Sequence, residues 1–182
     1  MMKLKTMLLA STVAIGLSGC VIPTDRTYYK PEAGFGEAVA SQSCGYQRTK
    51  LDALRRTFDG YRVQVEAEKD GRNGVTISVS ATVENPELNI NDVAFDNAKV
   101  TVVQPISQGG LITKYAFQHQ SNGDIWLSRT FLLPDAPYEQ VIEVQVQLAP
   151  GAIIMGDTVS EEMAFRFSLT TTFDVLYFSI NC

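Results

Sequence analysis

Between residues 75 and 83 the chain alternates strictly, with Val75, Ile77, Val79, Ala81 and Val83 separated by Thr76, Ser78, Ser80 and Thr82. A period of two places the apolar side chains on one face of an extended strand and the hydroxyls on the other, so the segment must belong to a sheet with one buried face. The preceding run has the same period: Tyr61, Val63, Val65 and Ala67 alternate with Arg62, Gln64, Glu66 and Glu68. The intervening Lys69-Asp70-Gly71-Arg72-Asn73-Gly74 is rich in turn residues, so the two runs are expected to form a hairpin. A second hairpin is expected from 111–119 and 125–133, joined through Ser121-Asn122-Gly123-Asp124, where Asn-Gly suits a tight turn with positive φ.

Further strands are expected over 98–103, 142–148, 164–172 and 175–180, the last two separated by a change of phase near Thr172 to Asp174 that implies a tight hairpin or a bulge. One helix is expected over 49–58, where Leu51, Leu54 and Phe58 share a face, Thr49 and Asp52 resemble a capping box and Asp59-Gly60 supplies a stop. Its flank carries Arg48, Lys50, Arg55 and Arg56, which read as a solvated surface with anionic headgroups as a second possibility. Strands in series without a βαβ rhythm predict a mainly-β protein: an antiparallel two-sheet β-sandwich of immunoglobulin-like or transthyretin-like kind, preceded by one short helix.

Reactive constellations are sparse. His119 is the single histidine, it falls at a strand end, and no Gly-x-Ser-x-Gly elbow accompanies it, so it reads as structural or exposed. Glu161 and Glu162 are neighbours just before a strand, where consecutive side chains diverge, so they do not form a hydrolytic pair by themselves. Asn89-Ile90-Asn91-Asp92 and Asp96-Asn97 are oxygen-rich but miss the EF-hand spacing, and turn formation explains them. Trp126, the single tryptophan, reads as a sheet residue before a carbohydrate platform. No phosphate loop, dinucleotide fingerprint or metal-ligand cluster appears, so no cofactor, metal or catalytic residue is assigned. The apolar Ala152-Ile153-Ile154-Met155 reads as a buried strand, or else as a loop that docks a partner.

The amino terminus has its own pattern. Lys3 and Lys5 precede an apolar run from Met7 to Leu17 that is short for a membrane span, and Leu17-Ser18-Gly19-Cys20 follows. This resembles the lipobox of bacterial lipoproteins. The resemblance covers residues 1–20 and implies that 1–19 are a signal peptide, that Cys20 becomes the first mature residue, and that Cys20 carries the acyl chains. Two or more chains hold a protein stably on a bilayer, at about 0.8 kcal/mol per buried methylene. The family's usual inner-membrane retention signal is an aspartate where this chain has Val21, so in a Gram-negative cell the outer membrane is expected, with the domain facing the periplasm.

Removal of residues 1–19 leaves 163, a single-domain length, read as a flexible lipidated tether over 20–43 and a β-sandwich domain over 44–182. The mature chain has 13 basic and 20 acidic residues, a net charge of −7, which excludes a nucleic-acid partner. Cys44 and Cys182 remain, and in an oxidising compartment they are expected to pair, closing a loop worth about 5 kcal/mol by chain entropy. The function expected is a binding or structural module of the envelope with a protein partner. Its contact surface is sought in the loops 104–110, 134–138 and 150–158. An envelope hydrolase or carbohydrate-binding enzyme with convergent carboxylates, and a carrier of a small apolar ligand, are the alternatives.

Overall fold

A computed structural model of the chain describes residues 21–41, 51–70, 74–105, 110–134 and 140–177. Cys20, Cys44 and Cys182, and with them the expected lipid attachment and the expected disulfide, lie outside the described residues. Two compact units are present: Thr27–Ser41 with Lys50–Thr170, and Met1–Arg26 with Gln42–Thr49 and Thr171–Cys182. In the second unit the described residues are the extended chain of 21–26 and 171–177.

The fold is mainly β and antiparallel. In chain order the strands are β1 (Val21–Pro31), β2 (Glu37–Val39), β3 (Ala53–Phe58), β4 (Tyr61–Asp70), β5 (Gly74–Glu84), β6 (Val93–Phe95), β7 (Val100–Gln104), β8 (Ile112–Ser121), β9 (Asp124–Leu133), β10 (Glu143–Leu148), β11 (Ile153–Met155), β12 (Thr158–Val159) and β13 (Met163–Tyr177). They form a six-stranded sheet β2-β3-β4-β5-β9-β8, a four-stranded sheet β1-β13-β10-β7 and a small sheet β12-β11-β6. One apolar cluster joins them. Val65, Val79 and Phe131 come from the six-stranded sheet, Val146 and Phe165 from the four-stranded sheet, and Phe95 and Ile153 from the small one. Alternation along each strand is what lets two sheets share this core, since each contributes every second side chain.

Both expected hairpins are present. Tyr61 pairs with Val83 and Asp70 with Gly74, while Ser121 pairs with Asp124 across a turn in which Asn122 (φ 53°) and Gly123 (φ 86°) are both left-handed.

Within the described part of the helix expected over 49–58, the structure is strand from Ala53 to Phe58. Ala53–Phe58 forms β3 and pairs with β4 from Ala53↔Glu66 to Phe58↔Tyr61. Leu54 and Phe58 share a strand face as readily as a helix face, and the hairpin buries Leu54 fully and stacks the Phe58 and Tyr61 rings, 4.7 Å apart and 9° from parallel. An isolated turn or two of helix has no such partner. Asp59-Gly60, with Gly60 at φ 76°, is therefore the hairpin turn and not a helix stop. Arg55 donates to Gln64 at 3.0 Å and Arg56 lies 5.3 Å from the Phe58 ring centre, so neither belongs to a helical basic flank.

Residues 27–41, assigned above to the tether, are part of the sandwich. β1 is the edge strand of its sheet, a place where Pro31 removes no ladder bond, and Tyr29 is 1% exposed with its hydroxyl donating to the Val141 carbonyl at 3.1 Å. The chain then turns into β2 through Gly36, where φ is 145° and a Cβ would stand 2.8 Å from the Arg55 carbonyl oxygen. Of the hairpin or bulge expected near Thr172 to Asp174, the hairpin is not formed: β13 runs unbroken from Met163 to Tyr177.

Asp52, 4% exposed, fastens Ser41 by accepting from its amide at 2.6 Å and its hydroxyl at 2.7 Å. Replacing Asp52 with alanine leaves those donors without this acceptor. The expected cost is about 1–3 kcal/mol, measurable as a shift of the urea midpoint of the mature chain.

Candidate functional site

β8 is the outermost strand of the six-stranded sheet, and residues 112–117 along it are all exposed. A strand inside a sandwich should hide every second side chain, as β9 does at Ile125, Leu127, Phe131 and Leu133. Here Ile112, Tyr115 and Phe117 are 49%, 70% and 57% exposed. Apolar exposure on this scale along one strand marks a contact surface more often than an ordinary solvated edge.

The register explains the arrangement. Lys114 is the extra residue of a bulge between Thr113 and Tyr115, and its ammonium pairs with Asp70 at 3.2 Å. Beyond the bulge Tyr115, Phe117 and His119 lie opposite Thr130, Ser128 and Trp126 on the outer face. His119 stacks on Trp126, with centroids 5.9 Å apart and planes 13° from parallel, and lies 6.1 Å from Phe117. Next to this aromatic row run the hydroxyls of β9 and β5, Ser128 and Thr130 beside Ser78 and Ser80, with Ser78 and Thr130 3.4 Å apart. Beyond them lie the charged and amide side chains of β4 and β3, with Arg62 of β4 paired to Glu84 at the end of β5 at 2.8 Å.

The inward side of β8 is polar. Gln118 donates to the carbonyls of Ile90 (2.6 Å) and Val93 (2.9 Å). Gln120 donates to Leu88 (3.0 Å) and accepts from the Ile90 amide (3.0 Å). Arg129 bridges β8 and β9, donating through Nη1 to the carbonyls of Phe117 (3.1 Å) and Ser128 (2.9 Å), with its guanidinium 5.4 Å from the Phe95 ring centre. Burial lowers its pKa below the ordinary arginine value. These contacts fix the strand from below, and among the described strands only β9 pairs with β8.

The other candidates resolve individually. Asp92 accepts from the Asn89 amide at 2.9 Å and Asp96 from the Ala98 amide at 3.0 Å, so these carboxylates cap short turns. Among the described residues no group of three or more His, Cys, Asp and Glu side chains is arranged to hold a metal. Glu161 and Glu162 are both exposed, and Glu162 accepts from the Gln147 side chain. The acids that do converge are Glu32 and Glu143, which sequence reasoning missed because they are far apart in the chain. They meet at Arg166, whose Nε is 3.8 Å from Glu32 and 3.2 Å from Glu143 while its guanidinium lies 4.9 Å from the Phe35 ring centre.

Of the expected contact loops, residues 106–109 and 135–138 lie outside the described residues. In 150–158, Ala152, Ile153 and Met155 are buried and Ile153–Met155 forms the strand β11, while Ile154 and residues 156–158 are exposed. Among the described residues no helix is long and apolar enough to cross a membrane.

Tyr61, on the core face of β4, accepts a bond from the Glu161 amide at 3.4 Å. Its pKa is raised, first by burial and further by the Glu161 charge, against the opposing effects of that bond and of Arg56. A phenol with a raised folded pKa stabilises the fold fully below its unfolded value near 10, and that contribution is lost as pH rises through the folded value. Urea midpoints are therefore expected to fall above about pH 10, and to fall less steeply in Tyr61→Phe.

No family model matches the chain, no curated protein matches it, and no solved structure matches its fold.

Proposed function

We propose that this chain is an outer-membrane lipoprotein, held by acyl chains on Cys20, whose periplasmic sandwich works as a binding module of the cell envelope through the outer edge of β8 and the aromatic row on its outer face. The observation that carries the reading is the run of exposed residues at 112–117, with Tyr115 and Phe117 open to solvent on a strand fixed from beneath by Arg129 and Gln118. A rigid, preformed apolar surface loses little entropy when a partner covers it. The resemblance of residues 1–20 to a lipobox supports the location.

A photoreactive amino acid placed at Tyr115 in intact cells tests this reading. Ultraviolet-dependent adducts are expected there and not at Thr57, an exposed position on β3 of the same sheet. Equal labelling at the two positions, or none at Tyr115, would count against it.

A further inference from the structure

The edge of β8 has a second property, legible in its ladder. A two-residue turn of left-handed residues closes on a hydrogen-bonded pair, here Ser121↔Asp124, and in antiparallel sheets bonded and non-bonded pairs alternate. His119, Phe117 and Tyr115 are then bonded to β9. The position of Arg129 Nη1, within bonding distance of both the Phe117 and Ser128 carbonyls, agrees with that assignment. It follows that the amides and carbonyls of Ala116, Gln118 and Gln120 point away from β9, toward the open side of the sheet.

Such an edge is normally blunted by lysine, proline or a bulge. On β8 the bulge and Lys114 stand at one end and the turn at Asn122 at the other, and the seven residues between, Tyr115-Ala116-Phe117-Gln118-His119-Gln120-Ser121, carry no formal charge. The mature chain has a net charge of −7, so two copies repel one another over most of their surface and approach most easily along an uncharged strip. The strip is also its own complement. In an antiparallel pair with its two-fold axis at Phe117, Ala116 exchanges both backbone bonds with the second copy's Gln118, and Gln118 with the second copy's Ala116. On the outer face Phe117 then meets its own equivalent, and Tyr115 meets His119 of the second copy. Every opposed position in that row is aromatic, the kind of cross-strand pair that stabilises sheets.

Resting on the reading of β8 as the contact strand, we infer that its occupant is β8 of a second copy of this chain, joining two six-stranded sheets edge to edge across a two-fold axis.

Two variants test this in the full lipidated chain in its native membranes. Phe117→Cys places sulfurs across a non-bonded pair, where Cβ atoms come within reach of a disulfide. Mild oxidation is expected to convert most of that chain to a covalent dimer on a non-reducing gel, above the level given by the native chain and by a Thr57→Cys control. Ala116→Pro removes an amide that the monomer's ladder does not use, so the fold, followed by far-ultraviolet circular dichroism, should persist. Added to Phe117→Cys, it should reduce the dimer by about tenfold or more, through two lost bonds and the clash of the ring. A dimer that survives Ala116→Pro in a folded chain, or no dimer from Phe117→Cys, overturns the inference. If no dimer forms while the Tyr115 photoprobe captures a different protein, the pairing of two copies is wrong and the envelope-contact reading stands; if neither appears, both fall.

Discussion

Truncating Phe165 to alanine is expected to cost about 3–5 kcal/mol, a large share of the roughly 5–15 kcal/mol that holds a domain folded. Phe165 is fully buried on β13, opposite Val146, and belongs to the cluster shared by the four- and six-stranded sheets. Its loss removes the transfer free energy of an aromatic ring and leaves a cavity that two facing sheets cannot close, because each is held by ladders along its whole length. Urea denaturation of the purified mature chain measures the effect: the midpoint should fall while the slope stays near its native value. A loss below about 1 kcal/mol would mean that the two inner faces do not form one close-packed core.

The second large effect concerns location. Cys20→Ala removes the sulfur that the lipobox nominates for acylation, and with it every methylene that would be buried in the bilayer at about 0.8 kcal/mol each. Almost none of the chain should then sediment with outer membranes, and it should be found instead as soluble protein or as unprocessed precursor. If the variant still sediments with outer membranes to the native extent, the anchor is not at Cys20 and the proposed function loses its location.

The first long hairpin was legible because a period of two runs through 61–68 and 75–83, and the second because Asn122-Gly123 suits a tight turn. β3 was not, since over ten residues the spacing of Leu51, Leu54 and Phe58 satisfies a helical face, and only pairing with β4 settles the matter in favour of strand. β1 was hidden for a different reason. Tyr29 is its one fully buried side chain among those described, so there was no alternation to read, and the flanking prolines and glycines gave the composition of a linker. The convergence of Glu32 and Glu143 on Arg166 depends on β1 and β10 flanking β13, which is a matter of topology and not of local pattern. The surface on β8 was the least legible. Ile112, Tyr115 and Phe117 look in sequence like residues that bury themselves, and exposure becomes visible only when β8 is placed at the edge of the sheet with its inward positions held by polar side chains.

The claim that this protein works through contact at β8 is tested most directly at the backbone, by amide hydrogen exchange at Ala116 and Gln118 in the full lipidated chain. In a dilute detergent solution of single chains both amides, directed away from β9, should exchange rapidly, and in native outer membranes both should be strongly protected by a strand or surface laid against them. Rapid exchange in both settings would show that nothing covers this edge where the protein resides, and would contradict the account.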